Sequence, residues 1–330
     1  MNARTSARTT ESFTLAHLSD PHLSTPTGMR ARDVMGKRIL GYLSWRLHRR
    51  TEHRGEVLDA LLADLAEQRP DHVVVTGDLT HIGLPDEYRQ VRAWLHKLGA
   101  PSSVSVVPGN HDAYVRSAIP RSLDLWSEFM DSDLDASCRS EGSSDDAFPY
   151  LRVRGGVGLI GVSTARPSLP FLATGTIGPD QLRRLALLLA ETREAGLCRV
   201  ILIHHPTSRG ETSARKGLVD SGEFRAVVAR EGVELVLHGH THRASWTTVP
   251  VPGGTAPSIG VPSSSAMGNG RGWRARYNLC SLRQAAEGWE LTVTTRRFDG
   301  HEDRFVHESE RTVVLPGRRS ERPALTAPVA

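Results

Sequence analysis

The sequence has few cysteines and no long hydrophobic run. Only three cysteines occur in 330 residues, Cys138, Cys198 and Cys280, and their wide spacing is unlike a disulfide framework or a cysteine-based zinc site. No apolar stretch approaches the ~20 residues that a transmembrane helix needs. The N-terminus, MNARTSARTTE, lacks the hydrophobic region of a secretory signal. These absences predict reduced thiols and a cytoplasmic location.

Excess positive charge is almost confined to one segment. The whole chain carries a net charge of +4, but residues 29–55 contain eight Lys or Arg and two Asp or Glu, a net of +6, so the remainder sums to −2. The basic character is therefore local, and specific nucleic-acid binding is not expected.

The same segment has an amphipathic pattern. In MGKRILGYLSWRLHRR, apolar residues fall on one helical arc that also contains Arg46. One interpretation is a lid helix that packs beside the active site. The other is an interfacial helix that makes peripheral contact with an anionic membrane, such as the inner membrane.

Strand-like and helix-like patterns alternate along most of the chain. Helical spacing covers 55–68, 85–98, 179–195 and 221–232, and buried strands are predicted at 13–20, 71–79, 103–112, 198–206 and 233–242. Further β-like runs lie in 150–164 and near 244–249, 257–262, 277–282 and 289–298. This alternation predicts an α/β core with mostly parallel strand pairing, within one domain over 13–315. Residues 1–12 and 316–330 are predicted to be disordered.

Five of the predicted strands end in polar side chains of the same kinds. These ends are SDPHL (Asp20, His22), TGDLTH (Asp78, His81), PGNHD (Asn110, His111, Asp112), IHHP (His204, His205) and HGHTH (His240, His242). Because the carboxyl ends of parallel strands meet at one edge of a sheet, we expect these residues to cluster. Carboxylate, imidazole and amide ligands without thiolate suit Mn²⁺, Fe or Zn²⁺. His17 and His238, one step deeper in their strands, are predicted to be buried structural histidines.

The ordered series D-x-H, GD, GNHD, HH and GHTH resembles the calcineurin-like metallophosphoesterase superfamily. The match runs from Asp20 to His242. The resemblance implies an α/β fold built as a four-layer α/β/β/α sandwich. Its two mixed β-sheets would carry a site for two divalent metal ions at one edge.

The resemblance also assigns roles by position. Asp20, His22 and His242 would hold the first ion, Asp78 would bridge both ions, and Asn110, His204 and His240 would hold the second. His205 is the alternative to His204. A hydroxide that bridges the ions would attack phosphorus in line. His111 would stabilise charge on the phosphoryl oxygens or protonate the leaving group.

The chain departs from the family pattern at one position. Members often read GD-x-x-D, in which the last aspartate orients the GNH histidine, but His81 stands there in this sequence. Either Asp112 or another carboxylate orients His111, or His111 acts as a neutral hydrogen-bond donor. His81, His205 and Arg243 are candidate substrate contacts.

The predicted activity is hydrolysis of phosphodiesters, because the motifs are similar to those of the bacterial branch that includes cyclic-nucleotide phosphodiesterases. One alternative is a membrane-surface pyrophosphatase that cleaves a lipid-linked nucleotide such as UDP-diacylglucosamine, with 29–55 as its interfacial helix. An alternative of another class is a non-catalytic metal-binding scaffold.

Overall fold

The computed structural model describes residues 12–23, 52–113, 123–133, 147–167, 172–268, 273–286 and 288–316. Residues 29–51 of the basic segment lie outside this range, as does nearly all of both predicted disordered ends, so the predictions made for them stay predictions. The domain limits 13–315 likewise stay a prediction. In the described part of the chain, no helix combines the length and apolarity that crossing a membrane would require.

Helices and strands alternate in the first part of the chain, and strands dominate the end. The helices are α1 (Gly55–Gln68), α2 (Pro85–Leu98), α3 (Pro179–Glu194) and α4 (Ser221–Glu231), with 3₁₀ turns at Pro101–Ser103 and Asp124–Phe129. The first strands are β1 (Phe13–Leu18), β2 (His72–Val75), β3 (Val104–Val106), β4 (Tyr150–Arg154), β5 (Val157–Val162), β6 (Cys198–Ile203) and β7 (Leu235–His238). The remaining strands are β8 (Ser245–Val251), β9 (Gly254–Gly260), β10 (Arg276–Ala285), β11 (Gly288–Asp299) and β12 (Arg304–Val314).

The strands form two mixed six-stranded sheets. The first has the order β12-β11-β10-β1-β2-β3, in which β1, β2 and β3 are parallel and the others antiparallel. The second has the order β4-β5-β6-β7-β9-β8, in which β5, β6, β7 and β9 are parallel. With helices packed on the sheets, this arrangement confirms the predicted four-layer α/β sandwich.

Alternation along β6 explains how both faces of the second sheet are filled. Val200 and Leu202 belong to the apolar cluster shared with the first sheet, whereas Ile201 and Ile203 belong to the cluster beneath α3 and α4. Successive side chains of a strand point to opposite faces, so a continuous apolar run is what a strand covered on both sides requires. The fold thus buries β6 completely and exposes only its carboxyl end to the site.

β12 was not predicted from the sequence, and the five strands that lead to the site are all shorter than predicted. β12 is mostly exposed and carries several charged residues, so it lacks the apolar alternation that identifies a strand. Its ladder with β11 stabilises it as an edge strand, whose charges discourage pairing with other molecules. β2 and β3 end sooner than predicted, because the chain turns after Val75 and Val106 toward the residues of the site.

His72, at the start of β2, is expected to make the fold sensitive to acid. Burial, with help from Arg152 and Arg154, lowers the pKa of His72 from 6.5 to about 3. Because the unfolded chain takes up this proton more readily, the contribution of His72 is complete above pH 6.5 and is lost as the pH falls toward 3. Between pH 6.5 and 5, the unfolding free energy of the wild type should therefore fall by about 2 kcal/mol more than that of His72→Gln. Urea unfolding at both pH values measures this, and equal losses would contradict it.

Candidate metal centre

The strand ends of the two sheets meet and are joined by backbone hydrogen bonds. In the first sheet, the amides of Asp20 and His22 donate to the carbonyls of Gly77 and Asp78, at 3.0 and 3.2 Å. In the second, the Gly239 amide donates to the His204 carbonyl at 3.1 Å. The two sheets then join where the His240 amide donates to Asp20 Oδ2 at 3.0 Å. The predicted convergence of strand ends is therefore present.

Six of the predicted ligand residues lie in overlapping clusters of potential ligand atoms. Within each cluster the atoms lie within 4.8 Å of one another, and two of the clusters are Asp20–His22–Asp78 and Asp78–His204–His240. Asp78 belongs to both. His242 adjoins the first cluster, since its Nε2 lies 3.2 Å from Asp20 Oδ1 and 3.3 Å from His22 Nε2. His204 Nε2 lies 3.4 Å from Asp78 Oδ2.

The backbone at this site adopts a conformation that ordinary residues avoid. Five of the site residues have positive φ angles of 44° to 69°: Asp20, His22, Asp78, His240 and His242. Non-glycine residues in this left-handed region cost free energy and persist only where the surroundings fix them, often at functional sites. The strained backbone turns these side chains inward at the ends of their strands.

Glycines let the carboxylates approach the opposing backbone. A Cβ on Gly239 would lie 1.8 Å from Ser19 Oγ and 2.5 Å from Asp20 Oδ2. A Cβ on Gly109 would lie 2.2 Å from Asp78 Oδ1. The absence of a side chain at Gly239 and Gly109 therefore leaves room for the carboxylates of Asp20 and Asp78.

Hydrogen bonds to backbone carbonyls set the tautomers of three histidines. Nδ1 of His22, Nδ1 of His204 and Nε2 of His240 contact carbonyl oxygens at 3.1, 2.7 and 2.7 Å. These oxygens belong to Thr80, Thr76 and Lys216. A carbonyl can only accept, so each of these nitrogens carries the proton. In the neutral ring the other nitrogen then has a lone pair for a cation, the usual arrangement of metal-bound histidines.

Two buried oxygens of the predicted ligand set make no hydrogen bond among the described residues, Asp20 Oδ1 and Asn110 Oδ1. Asp20 Oδ1 has His242 Nε2 as an ion-pair neighbour at 3.2 Å, so Asn110 Oδ1 is the oxygen that lacks a partner. Leaving a buried oxygen unpaired is costly, because it loses its hydration without compensation. A bound cation would satisfy both oxygens.

The electrostatics of the site distinguish His204 from the other histidines. Burial and neighbouring histidines lower the pKa of His22 well below its usual value, and burial and His204 lower that of His240 to about 3. At His204, burial opposes the charge, but the Asp78 carboxylate outweighs it and raises the pKa to about 9. The Asp78 carboxylate therefore acts most strongly on His204, whose Nε2 lies 3.4 Å from Asp78 Oδ2.

A backbone carbonyl contacts Nδ1 of His111, and the Asp78 carboxylate lies near its other ring nitrogen. Its Nδ1 donates to the His81 carbonyl at 2.6 Å, and its Nε2 lies 3.9 Å from Asp78 Oδ2. A neutral His111 with its proton on Nδ1 can only accept at Nε2, so donation from Nε2 requires the imidazolium. Of the predicted alternatives, a carboxylate at Nδ1, whether of Asp112 or of another residue, and a neutral ring that donates from Nε2 both disagree with this geometry. The main-chain carbonyl of His81 therefore takes the place of the family's aspartate at His111 Nδ1.

Asp112 instead holds the turn that carries Asp78. Its carboxylate accepts from the amides of Leu79, Thr80 and Gly109 at 2.9 to 3.0 Å. Burial and the nearby charge of Asp78 raise the pKa of Asp112 to about 7. This residue therefore joins the GD and GNHD turns.

Asp112→Ala is expected to destabilise the protein by about 3 kcal/mol or more, because three buried amides would lose their acceptor. Asp112→Asn, which keeps one acceptor oxygen, should recover part of this loss. Urea unfolding at pH 8 compares the two variants. An alanine variant as stable as the wild type would contradict the structural role.

The comparison with known proteins agrees with this geometry. The family model of the calcineurin-like phosphoesterases matches residues 13–244. The chain belongs to this family. The match covers all five strand ends that form the site and confirms the resemblance found in the sequence.

The relatives of this family member include named phosphodiesterases. A "probable cyclic nucleotide phosphodiesterase" of Synechococcus is 29% identical over 188 residues, which cover 56% of this chain and 63% of that protein. A "cAMP/cGMP dual specificity phosphodiesterase" of Mycobacterium tuberculosis is 28% identical over 268 residues, covering 79% and 72%. The chain thus spans under two thirds of the Synechococcus protein. A dimetal phosphatase from Danio rerio shares the fold, with a TM-score of 0.60 and 15% identity over 92% of this chain and 99% of that one.

The remaining predicted residues of this phosphoesterase-family chain lie in different surroundings. His205 is fully buried; its Nδ1 contacts the Thr164 hydroxyl at 2.7 Å and its Nε2 the Ala173 carbonyl at 3.1 Å. Both nitrogens are thus engaged, which favours His204 as the ligand and argues against substrate contact by His205. Arg243 is exposed. His17 and His238 are buried, as expected, and His17 bonds the Thr76 hydroxyl at 3.0 Å.

His53 is a potential ligand that no sequence motif indicated. Its ring centroid lies 4.6 Å from that of His22 and 5.8 Å from that of His242. The three residues form a third cluster of potential ligand atoms. His53 lies near the end of the basic segment 29–55 and in no strand motif, so nothing local distinguishes it from a surface residue.

Proposed function

We propose that the protein is a dinuclear metal-dependent phosphodiesterase that acts on cyclic nucleotides. The observation that carries the proposal is the membership of Asp78 in two adjacent ligand clusters, which is the position a carboxylate bridging two cations would occupy. The buried Oδ1 of Asn110, which makes no hydrogen bond among the described residues, supports the same site. The substrate class is suggested by the names of the Synechococcus and Mycobacterium relatives.

The donor set fits two cations of the Mn²⁺, Fe or Zn²⁺ type. In this proposal Asp20, His22 and His242 hold the first, Asn110, His204 and His240 hold the second, and Asp78 contacts both. When bound, such a pair polarises phosphoryl oxygens and lowers the pKa of water.

His111 supplies the proton chemistry that the chain itself can offer. The His81 carbonyl fixes its Nδ1–H, so the ring presents Nε2 to the site beside Asp78. An imidazolium there can donate to a phosphoryl oxygen or protonate the leaving oxygen of the ester. The exposed Arg243 directly follows His242, where it can attract the negative charge of a phosphodiester.

The role of the basic segment stays a prediction, but its attachment points are known. The Leu23 amide bonds the Leu79 carbonyl at 2.8 Å, and the Glu52 carbonyl accepts from Met267 at 2.9 Å. Leu23, which precedes the segment, and Glu52, near its end, are therefore held close to the site. Their position supports a part for the segment in substrate selection, either as a lid or as the membrane contact that a lipid-linked nucleotide requires.

A substrate panel tests the proposal and its alternatives. Purified protein, loaded separately with Mn²⁺, Fe²⁺ or Zn²⁺, is assayed on bis(4-nitrophenyl) phosphate, 3′,5′-cyclic AMP and GMP, 4-nitrophenyl phosphate and detergent-dispersed UDP-diacylglucosamine. We expect metal-dependent cleavage of the diesters and little of the monoester. Turnover of the lipid substrate alone, lost when the basic residues of 29–55 are neutralised, would favour the pyrophosphatase. A folded, metal-loaded protein without any turnover would favour the scaffold.

A further inference from the structure

We propose that His53 is an additional nitrogen ligand of the ion assigned to His22 and His242. This inference rests on the proposed function, because it concerns the first of the two cations. It adds to the motif-derived set a residue that precedes α1 and belongs to none of the five strand ends.

The position of His53 is set by a short antiparallel contact with the segment around Ala266. His53 forms a β-bridge with Ala266. On either side, the Arg54 amide donates to the Ser265 carbonyl at 3.1 Å and the Met267 amide donates to the Glu52 carbonyl at 2.9 Å. The backbone that delivers the imidazole is thus held by main-chain hydrogen bonds that do not depend on a side chain.

Two buried serine hydroxyls contact the ring of His53. Ser263 Oγ donates to the Asp20 carbonyl at 2.6 Å, so toward its other neighbours, Ser265 Oγ at 3.2 Å and His53 Nδ1 at 3.3 Å, it can only accept. When Ser265 donates to Ser263, the Ser265 oxygen accepts from His53 Nδ1 at 2.8 Å. In that arrangement Nδ1 carries the proton, and Nε2 has the lone pair that a cation binds.

The series of hydrogen bonds ends at Asp20, which would hold the same ion as His53. Ser263 and Ser265 are both fully buried, and the hydrogen bonds run from His53 through them to the main chain of Asp20. Such outer hydrogen bonds orient metal-bound imidazoles and raise their basicity. His22 and His240 obtain the same support from backbone carbonyls.

With His53, the first ion would have three imidazole ligands beside the carboxylates of Asp20 and Asp78. Imidazole favours Fe and Zn²⁺, whereas carboxylate and water suit Mn²⁺. Loss of His53 should therefore weaken Zn²⁺ binding more than Mn²⁺ binding. A residue that only contacts substrate would change neither.

Metal titration calorimetry tests the assignment without relying on activity. Apo-protein is titrated with Zn²⁺ and with Mn²⁺ for the wild type, His53→Gln, His53→Ala, Ser265→Ala and His307→Ala, the last removing an exposed histidine of β12. We expect two bound ions throughout, with one site weakened roughly tenfold or more for Zn²⁺ in the His53 variants and less in Ser265→Ala. Absorption spectra of the Co²⁺-loaded proteins should change for His53→Gln and stay as in the wild type for His307→Ala.

Thermal unfolding of each apo-protein separates ligand loss from misfolding, and the milder glutamine variant serves if alanine unfolds. Wild-type affinities and Co²⁺ spectra in folded His53→Gln would overturn the assignment, and a raised KM alone would make His53 a substrate contact. A wild type that binds no metal would instead defeat the proposed function.

Discussion

Asp78→Asn is expected to lower kcat/KM for bis(4-nitrophenyl) phosphate by more than about a thousandfold, the largest effect of any single substitution considered. The carboxylate lies in both ligand clusters, so its loss weakens both proposed ions at once. Asparagine has nearly the same volume and can still accept from the His111 amide, which now donates to Asp78 Oδ1 at 2.8 Å. The loss should therefore reflect the missing charge rather than a collapsed turn.

Steady-state kinetics and metal content, measured on the same preparations, check this expectation. Asp64→Asn is the matched control, because Asp64 is also a buried carboxylate but bonds Tyr277 and Arg296, away from the strand ends. It should lower stability and leave two bound ions. An Asp78→Asn protein that keeps both its metal and its turnover would disprove the bridging role.

His204→Ala and His205→Ala are expected to have opposite consequences although the residues are adjacent. His204→Ala should reduce kcat/KM by roughly a hundredfold or more through loss of the second ion. His205→Ala should reduce it by at most about tenfold but cost about 2 to 4 kcal/mol of stability, because it leaves a cavity and removes the partner of Thr164. The difference arises from orientation, since only His204 directs a ring nitrogen at Asp78.

Metal analysis, diester kinetics and urea unfolding of the two variants distinguish the roles. Loss of metal in His205→Ala with retention in His204→Ala would reverse the assignment. Similar losses in both would mean that the contact between the rings of His205 and His240, whose centroids lie 4.3 Å apart, matters as much as ligation.

Much of the fold and most of the site were predictable for local reasons. A run such as Val200–Ile203 is apolar on both faces, which identifies a strand covered on both sides. His240 and His242 lie two residues apart at a strand end, where one motif can specify both. β12 escaped prediction because pairing with β11, rather than an apolar pattern, stabilises it.

The sequence by itself determined the order of the strands with polar ends, the kinds of ligand and the family. The tertiary structure alone decided which ring nitrogen of each histidine faces the centre. The nitrogen that donates to a backbone or hydroxyl oxygen carries the proton, so the other nitrogen is the one presented to a cation. For His111, where the sequence left a carboxylate partner and a neutral-donor role open, the tertiary structure placed the His81 carbonyl at Nδ1, and it assigned Asp112 to a turn. His53 joined the site only through its pairing with Ala266, more than two hundred residues away in the chain. Such contacts depend on how two sheets pack together, and no local pattern encodes them.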